Sequence, residues 1–162
     1  MLVRLLADQN SVIRRRAIKS LGLIGPEAKD EVQELTQILS DVEKEIRDSA
    51  FQALAAIGSE AKQAVPALIQ ALKDQNSDIR RNAISTLREI GPAARQAVPS
   101  LIQLLDDESL VVRVNAIEAL GDIVAEAKQA VPMLTQALED KFSAIRDSAE
   151  VALRQISSGD KK

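Results

Sequence analysis

The strongest constraint on this chain is a motif that returns every 33 residues along its whole length. In the copy from Asp74 to Pro92, an aspartate is followed by an arginine six residues later, and then by alanine, leucine and isoleucine at helical spacing. The aspartate and the arginine recur as five pairs: Asp8 and Arg14, Asp41 and Arg47, Asp74 and Arg80, Asp107 and Arg113, and Asp140 and Arg146. A strict period of this length is typical of stacked supersecondary units. The sequence therefore predicts a repeat protein.

Each unit has two segments of helical hydrophobic spacing, joined by a polar turn. In the unit that begins at Gly91, apolar residues recur at helical spacing over 92–105 and again over 112–123. Neither segment can bury its apolar stripe alone, but two antiparallel helices can bury both stripes against neighbouring units. We therefore expect an all-α solenoid of five two-helix units.

The repeat also sets the domain organisation. The five units are expected at about 1–25, 26–58, 59–91, 92–124 and 125–157, and the polar residues 158–162 are expected to form a disordered tail. Proline occupies the same place in the first helices of three units, at Pro66, Pro99 and Pro132. Because proline removes a backbone hydrogen bond inside a helix, we expect those first helices to be kinked.

Composition argues against several kinds of chemistry. The chain has no cysteine and no histidine, which removes disulfides, the usual zinc ligands and the commonest catalytic base. Its six glycines form no phosphate-binding loop, and no cofactor is expected. The net charge of -3 gives no reason to expect nucleic acid or an anionic membrane as a partner, and no segment is apolar enough to span a bilayer. A cytoplasmic chain that is not an enzyme is the simplest expectation.

The paired Asp and Arg residues bracket the turn between the two helices of each unit, and we call these residues the Asp–Arg ladder. Recurrence in every unit favours a stacking device in which each Arg binds a carboxylate or carbonyls of its own or the adjacent turn. A row of arginines could instead bind phosphate, but Arg80 directly follows the apolar Ile79. The acidic run at 106–108 is expected to be a solvated turn, since it lacks the looped, glycine-containing frame of a calcium site.

The two ends of the repeat differ. We call the residues at equivalent positions of the units a column, and one column of the second helices is apolar at Ile18, Phe51, Ile84 and Ile117 but becomes Glu150 in the last unit. A charged residue there predicts a capped end that accepts no further unit. The first unit starts inside its first helix without a capping residue. We therefore expect association through this N-terminal repeat, an upstream repeat, or a frayed end.

The solvent side of the second helices varies while the frame stays constant, which is typical of a binding face and also of ordinary surface drift. Its expected residues are Arg15, Arg16, Lys19, Glu45, Asp48, Gln52, Asp78, Arg81, Asn82, Ser85, Glu89, Val111, Val114, Asn115, Glu118, Asp122, Asp147 and Val151. The first unit contributes a charge of +3, whereas the acidic residues from Glu45 to Asp147 exceed Arg81 by six charges. We therefore expect an extended partner that is mostly basic, with an acidic end.

The motif D-x5-R-x2-A-x3-L-x2-I-G-P, with VPxLxxLL in the other helix, resembles the HEAT family, and in particular the short HEAT-like repeats of phycobilisome lyases. The match covers residues 1–157. The resemblance implies a right-handed α-solenoid whose second helices line a concave face that binds other macromolecules. Val124-Ala125 and Ser157-Ser158 stand where other units have Gly-Pro, and Gly58-Ser59 keeps only the glycine, so those junctions are expected to turn differently.

These observations favour a scaffold or adaptor that binds a protein or peptide on its concave face and is not an enzyme. Two alternatives stay open: an accessory subunit or fragment of a phycobiliprotein chromophore lyase, and a structural spacer within a longer repeat protein. Chromophore chemistry would need a pocket and acid–base groups, for which this chain offers only carboxylates, lysine and arginine. A DNA-binding solenoid would need a basic stripe, which the charge pattern does not provide.

Overall fold

The structure, a computed structural model, describes residues 2–123 and 127–159, and every regular element in these ranges is helical. The α-helices are α1 (Leu2–Leu5), α2 (Ser11–Ile24), α3 (Val32–Ile38), α4 (Lys44–Ile57), α5 (Val65–Ala71), α6 (Ser77–Ile90), α7 (Val98–Gln103), α8 (Leu110–Ile123), α9 (Val131–Ala137) and α10 (Ser143–Gly159). Short 3-10 helices lie at Gly25–Glu31, Gly58–Ala64, Gly91–Ala97, Leu104–Asp106 and Ala127–Ala130. Each even-numbered helix is the second helix of its unit.

The helices form two layers that share one core. The even-numbered helices contact one another in chain order from α2 to α10, and the odd-numbered helices with their 3-10 segments form the other layer. The buried apolar side chains are Leu, Ile, Val and Ala, with Phe51 as the one buried aromatic residue of the described ranges. Burial of such apolar surface is the dominant stabilising term in folding. The expected all-α solenoid of two-helix units is confirmed.

The first helices of the second to fourth units are broken and not simply kinked. Residues 91–97 are wound as a 3-10 helix, and the α-helix begins at Val98 with Pro99 in its first turn. Backbone N–H groups in the first turn of a helix have no acceptor within the helix. Proline, which lacks this N–H, therefore does not disturb the α-helix there. The same break occurs before Val32, where Gln33 replaces the proline. Proline therefore accompanies the break but is not required for it.

Left-handed glycines redirect the chain between consecutive units. Gly25, Gly58 and Gly91 have φ angles of 70°, 65° and 65°. The expectation of a different turn at Gly58-Ser59 is therefore wrong, because the glycine alone fixes the backbone conformation of the junction. The N–H groups of the three glycines donate to carbonyls in the last turn of the preceding second helix. Glycine is favoured in this conformation because a Cβ would be strained there. The junction at Val124-Ala125 lies outside the described residues, so its different turn stays a prediction.

The C-terminal segment departs from the expected disordered tail at 158–162. Helix α10 continues through Ser158 to Gly159. The hydroxyls of Ser157 and Ser158 donate to backbone carbonyls of the preceding turn at 2.8 Å each. Without the Gly-Pro of other junctions, no left-handed residue ends the helix at this point. Residues 160–162 lie outside the described part of the chain.

Every member of the Asp–Arg ladder binds the turn of its own unit. The aspartate carboxylates accept a hydrogen bond from the N–H two residues later, at 2.8–2.9 Å in all five units. The arginine Nη1 atoms donate to the aspartate carbonyl of the same turn at 2.6–2.9 Å. The pair therefore closes the turn from both sides, which explains why the spacing of six residues is the same in all units.

A buried ion pair of the ladder joins the third and fourth units. Arg80 Nη2 donates to Asp107 Oδ1 at 2.8 Å, and each of the two side chains is only 7% exposed. This hydrogen bond raises the pKa of the Arg80 guanidinium. The bond reaches from the turn of one unit to the turn of the next, so it couples the closure of a turn to the stacking of units.

Other junctions use the same arginine column with different partners. Arg14 Nη2 donates to Glu43 of the second unit at 2.7 Å. The guanidinium carbon of Arg113 lies 5.5 Å from the ring centre of Phe142 in the fifth unit, which is a cation–π contact. Both partners occupy the same column of the following turn. The arginine of the ladder therefore has different partners in the following unit, whereas its bond to the turn of its own unit is always the same.

Replacing Arg80 by alanine is expected to lower the free energy of unfolding by about 2–4 kcal/mol, because Asp107 would stay buried without its cationic partner. Urea unfolding followed by circular dichroism measures the change. Arg146→Ala is the matched control, since within the described residues this side chain binds only its own turn. The control should cost about 1.5 kcal/mol. Equal losses for the two variants would contradict the role assigned to the pair between units.

Candidate functional site

The expected face residues all lie on the even-numbered helices, and none of them is buried. The exposed members are Arg15, Arg16, Lys19, Glu45, Gln52, Arg81, Ser85, Glu89, Val111, Asp147 and Val151. The half-buried members are Asp48, Asp78, Asn82, Val114, Asn115, Glu118 and Asp122. We call this surface the second-helix face. It extends over one layer of the stack, from the first unit to the fifth.

Polar side chains of the second-helix face bind one another between α4 and α6. Asn82 Nδ2 donates to Asp48 Oδ1 at 2.9 Å. Lys44 Nζ lies 2.7 Å from Asp48 Oδ2 and 4.0 Å from Asp78 Oδ2. The hydrogen bond to Asp48 raises the pKa of Lys44. A cavity of about 210 Å³ opens beside this cluster, with Gln52 in its wall.

Arg88 binds two acidic residues of the face between α6 and α8. Its Nη1 donates to Glu118 Oε2 at 2.6 Å, and its Nε donates to Asp122 Oδ2 at 2.8 Å. Gln155 of α10 donates to the other oxygen of Asp122 at 3.2 Å. The acidic excess of six charges expected from the face columns is therefore too large. Arg88 and Lys44 reduce it by two, because these long side chains reach the face from outside its columns.

Three exposed acidic residues of the face, Glu45, Glu89 and Asp147, have no ion-pair partner within the described residues. Asp147 lines a cavity of about 340 Å³ between α8 and α10, and Val151 lies in the same wall. Val151 is 54% exposed. A carboxylate beside an apolar wall matches a lysine or arginine side chain, which combines an aliphatic stem with a charged head. This part of the face therefore offers a basic partner a carboxylate and an apolar contact side by side.

The first unit carries the basic end of the stack. Arg15, Arg16 and Lys19 are exposed, and no ion pair within the described residues involves them. Their charge of +3 is therefore not offset locally. By contrast, Arg154 in the last unit binds Glu150 one turn earlier on the same helix. The two ends of the stack thus differ in charge as well as in sequence.

The last unit places charge on its stacking face. The four residues that share the column of Glu150 are at most 2% exposed, because the following unit covers each of them. Glu150 itself is exposed and binds Arg154. Burying a charged side chain against apolar residues is costly. The Glu150–Arg154 pair therefore opposes the stacking of a further apolar unit.

Two residues that bind members of the face were not expected from the sequence, Lys44 and Gln155. Lys44 stands four residues before Asp48, a spacing that favours ion pairs on a helix, so the sequence did carry a signal for it. The contact of Gln155 depends on the close approach of α8 and α10. A Cβ at Gly121 would lie 3.1 Å from the Cα of Ala152. The spacing of residues in the sequence does not predict such a distance between two helices.

The acidic run at 106–108 serves the ladder. Asp107 Oδ1 accepts hydrogen bonds from Arg80 and from the N–H of Ser109. Within the described residues, no group of three or more acidic side chains is placed to hold a metal ion. None of the helices in the described ranges combines the length and the apolar composition that crossing a membrane requires.

The two-layered stack and its exposed second-helix face define the chain as an α-solenoid repeat protein. A family model for HEAT repeats matches residues 1–68, 32–113 and 65–154, which together extend over nearly the whole chain. The chain therefore belongs to the HEAT repeat family, as the resemblance of its motif indicated. No curated protein matches the sequence.

Solved structures share this fold. The complex of CpcE and CpcF of phycocyanin lyase from Nostoc sp. PCC7120 aligns with a TM-score of 0.80 and 26% identity, over 97% of this chain and 64% of that chain. An engineered protein aligns with a TM-score of 0.75 and 26% identity, over 97% and 78%. A designed armadillo repeat protein in complex with the peptide (KR)4 aligns with a TM-score of 0.75 and 24% identity, over 96% and 80%. The chain thus spans slightly less than two thirds of the lyase chain.

Restoring the apolar column with Glu150→Ile is expected to produce concentration-dependent, end-to-end association. The change removes the charge that opposes stacking and exposes an apolar seam shaped to receive another unit. Light scattering coupled to size exclusion measures the mass. Glu60→Ile is the matched control, because Glu60 is exposed in a 3-10 segment of the other layer. A Glu150→Ile protein that stays monomeric at high concentration would rule out the capping role.

Proposed function

We propose that this chain is a scaffold or adaptor that binds an extended protein or peptide on the second-helix face and catalyses no reaction. The observation that carries the proposal is the pairing of exposed carboxylates with apolar side chains on that face, above all Asp147 beside Val151. A constant frame positions these residues at repeat spacing, while their identities differ between units. The partner is basic over most of its length and acidic where it meets the first unit.

Electrostatics and the fold both support this partner. Complementary charges act mainly on the encounter rate and on register, so affinity for a basic peptide should fall as salt is added. The designed armadillo repeat protein in complex with (KR)4 supports the proposal at the level of the fold alone, since a stack of similar fold is found with a basic peptide. Four carboxylates of the face are engaged in ion pairs within the chain, at Asp48, Asp78, Glu118 and Asp122. The main contacts for a basic partner are therefore Glu45, Glu89 and Asp147.

The test uses (KR)4 as the probe, labelled for fluorescence anisotropy. The double variant Glu89→Lys with Asp147→Lys should weaken binding about tenfold, or about 1.4 kcal/mol, because it replaces two exposed carboxylates of the face by cations. These residues are exposed and have no ion-pair partner within the described residues, so the stack itself should be unaffected. Binding should also weaken between low and physiological salt.

A matched control separates a local contact from general charge attraction. Glu27→Lys with Glu60→Lys makes the same change of net charge at two exposed glutamates in the 3-10 segments of the other layer. This variant should bind (KR)4 nearly as the parent does. Equal weakening by both double variants would mean that attraction is unspecific and would contradict the proposal. Weakening by the control alone would transfer the site to the other layer.

A second candidate function is that of an accessory subunit of a phycobiliprotein lyase. The likeness to the CpcE and CpcF complex of phycocyanin lyase favours it, although the chain spans only 64% of that chain. Isothermal titration calorimetry with purified phycocyanin tests whether phycocyanin is the partner. Saturable binding that the Glu89→Lys, Asp147→Lys variant removes would support it, and no heat of binding would contradict it. If (KR)4 does not bind either, the remaining hypothesis is that the chain is a structural spacer within a longer repeat protein.

A further inference from the structure

The N-terminal end of the solenoid exposes a stacking face that the fold covers in every other unit. Ile13 and Ile24 of α2 are 37% and 44% exposed. The residues that take the place of Ile24 in the other four units are at most 3% exposed. Three of the four residues in the column of Ile13 are at most 2% exposed, and the fourth, Ile79, is half-buried. The first unit therefore presents the apolar seam that an internal unit uses for packing.

The junction between the second and third units shows one kind of element that can cover such a seam. Between the second and third units, α4 packs against α6. Thr86 of α6 donates from Oγ1 to the carbonyl of Phe51 at 3.2 Å, and Asn82 donates to Asp48 at 2.9 Å. At this junction the covering element is an α-helix that combines an apolar stripe with one acidic acceptor, whereas Arg15, Arg81 and Val114 stand in the place of Asp48 at the other junctions. Asp48 of the covering helix accepts its hydrogen bond from Asn82 of the covered helix.

In the first unit the residue of the Asn82 column is Arg16, and this changes what a covering helix must supply. Arg16 is exposed, and no ion pair within the described residues involves it. A helix packed on Ile13 and Ile24 would remove water from Arg16. A desolvated charge is costly unless a group of opposite charge is hydrogen-bonded to it. The covering helix therefore needs a carboxylate where α4 presents Asp48.

We propose that the N-terminal end of α2 docks an α-helix of a partner protein, whose apolar stripe covers Ile13 and Ile24 and whose carboxylate pairs with Arg16. Arg15 and Lys19 add positive charge on the same helix, which favours further acidic residues along the partner. This docking surface lies at the end of the stack. It shares Arg15, Arg16 and Lys19 with the basic end of the second-helix face, but it does not involve Glu89 and Asp147, at which the binding of (KR)4 is tested.

A second copy of this chain fits the same surface poorly. Stacked head to tail, it would bring Glu150 against Ile13, since the equivalent residues Ile117 and Ile145 line one cavity at the last internal junction. That contact would bury a carboxylate against an isoleucine. Stacked head to head, two copies would bring two clusters of charge +3 into one interface. A helix that is both acidic and apolar meets neither obstacle.

The test uses two forms of the full chain, so that the probe is a folded helix of the stated chemistry. The acceptor is the unmodified chain. The donor carries Glu150→Ile, which gives α10 an apolar stripe beside Asp147, and Ile24→Glu, which blocks its own N-terminal face. Asp147 occupies in α10 the place that Asp48 occupies in α4. Sedimentation velocity of the mixture should show a complex of one donor with one acceptor.

Exchange of charges then tests the pair directly. Arg16→Glu in the acceptor should weaken the complex at least tenfold, and Asp147→Lys in the donor should restore binding to that acceptor. Arg95→Glu in the acceptor is the matched control, since Arg95 is exposed in the 3-10 segment at 91–97, and it should leave binding unchanged. Circular dichroism melts verify that each variant is folded. If the donor loses its fold through Ile24→Glu, Ile13→Glu provides the second blocking variant.

Three results would overturn the inference. The first is the absence of any complex between folded donor and acceptor at high concentration. The second is a complex that Arg16→Glu in the acceptor leaves at full strength. The third is dimerisation of the unmodified chain alone that Ile24→Glu abolishes, because the occupant of the face would then be a second copy.

Discussion

The hydrogen bonds of the Asp–Arg ladder are the interaction on which the geometry of the stack depends. Apolar burial supplies most of the driving force, but it is not directional and would allow units to slide against one another. The arginine supplies direction because its planar guanidinium donates through two separate nitrogens. In Arg80, Nη1 closes the turn of its own unit while Nη2 binds Asp107 in the next. Closure of a turn and placement of the following unit are thus one event at that junction.

The junctions differ in strength because the ladder arginine of each junction has a different partner in the next unit. The Arg80–Asp107 pair is almost excluded from water, so loss of either partner would leave a buried charge. The Arg14–Glu43 pair is more exposed, with Glu43 44% accessible, and pairs of that kind contribute little. The contact of Arg113 with Phe142 involves no carboxylate at all. The structure therefore places the most demanding electrostatic contact at the centre of the stack.

Much of the fold was predictable from the sequence because its determinants are local and repeated. The helical spacing of each segment and the turn between Asp74 and Arg80 depend on residues close together in the chain, and the 33-residue period repeats them in every unit. The features that escaped prediction depend on distances between helices or on small differences between helical forms. Gln155 binds Asp122 because α10 lies close to α8, and the break before Val32 occurs without proline. Helix α10 runs on to Gly159 because no Gly-Pro stands at Ser157.

The side and the ends of the stack can carry separate interactions because each unit contacts only its neighbours. A charge at Glu150 is solvated at the end of the stack, whereas a charge at Ile84 of the same column would be buried between two units. The same argument holds for Arg16, which is exposed where Asn82 binds the preceding helix. Polar and charged residues at the ends therefore alter which elements can dock there without disturbing the internal junctions. The side of the stack keeps its own pattern of carboxylates, so one repeat frame can hold an extended partner along the side and a helix at the N-terminal end.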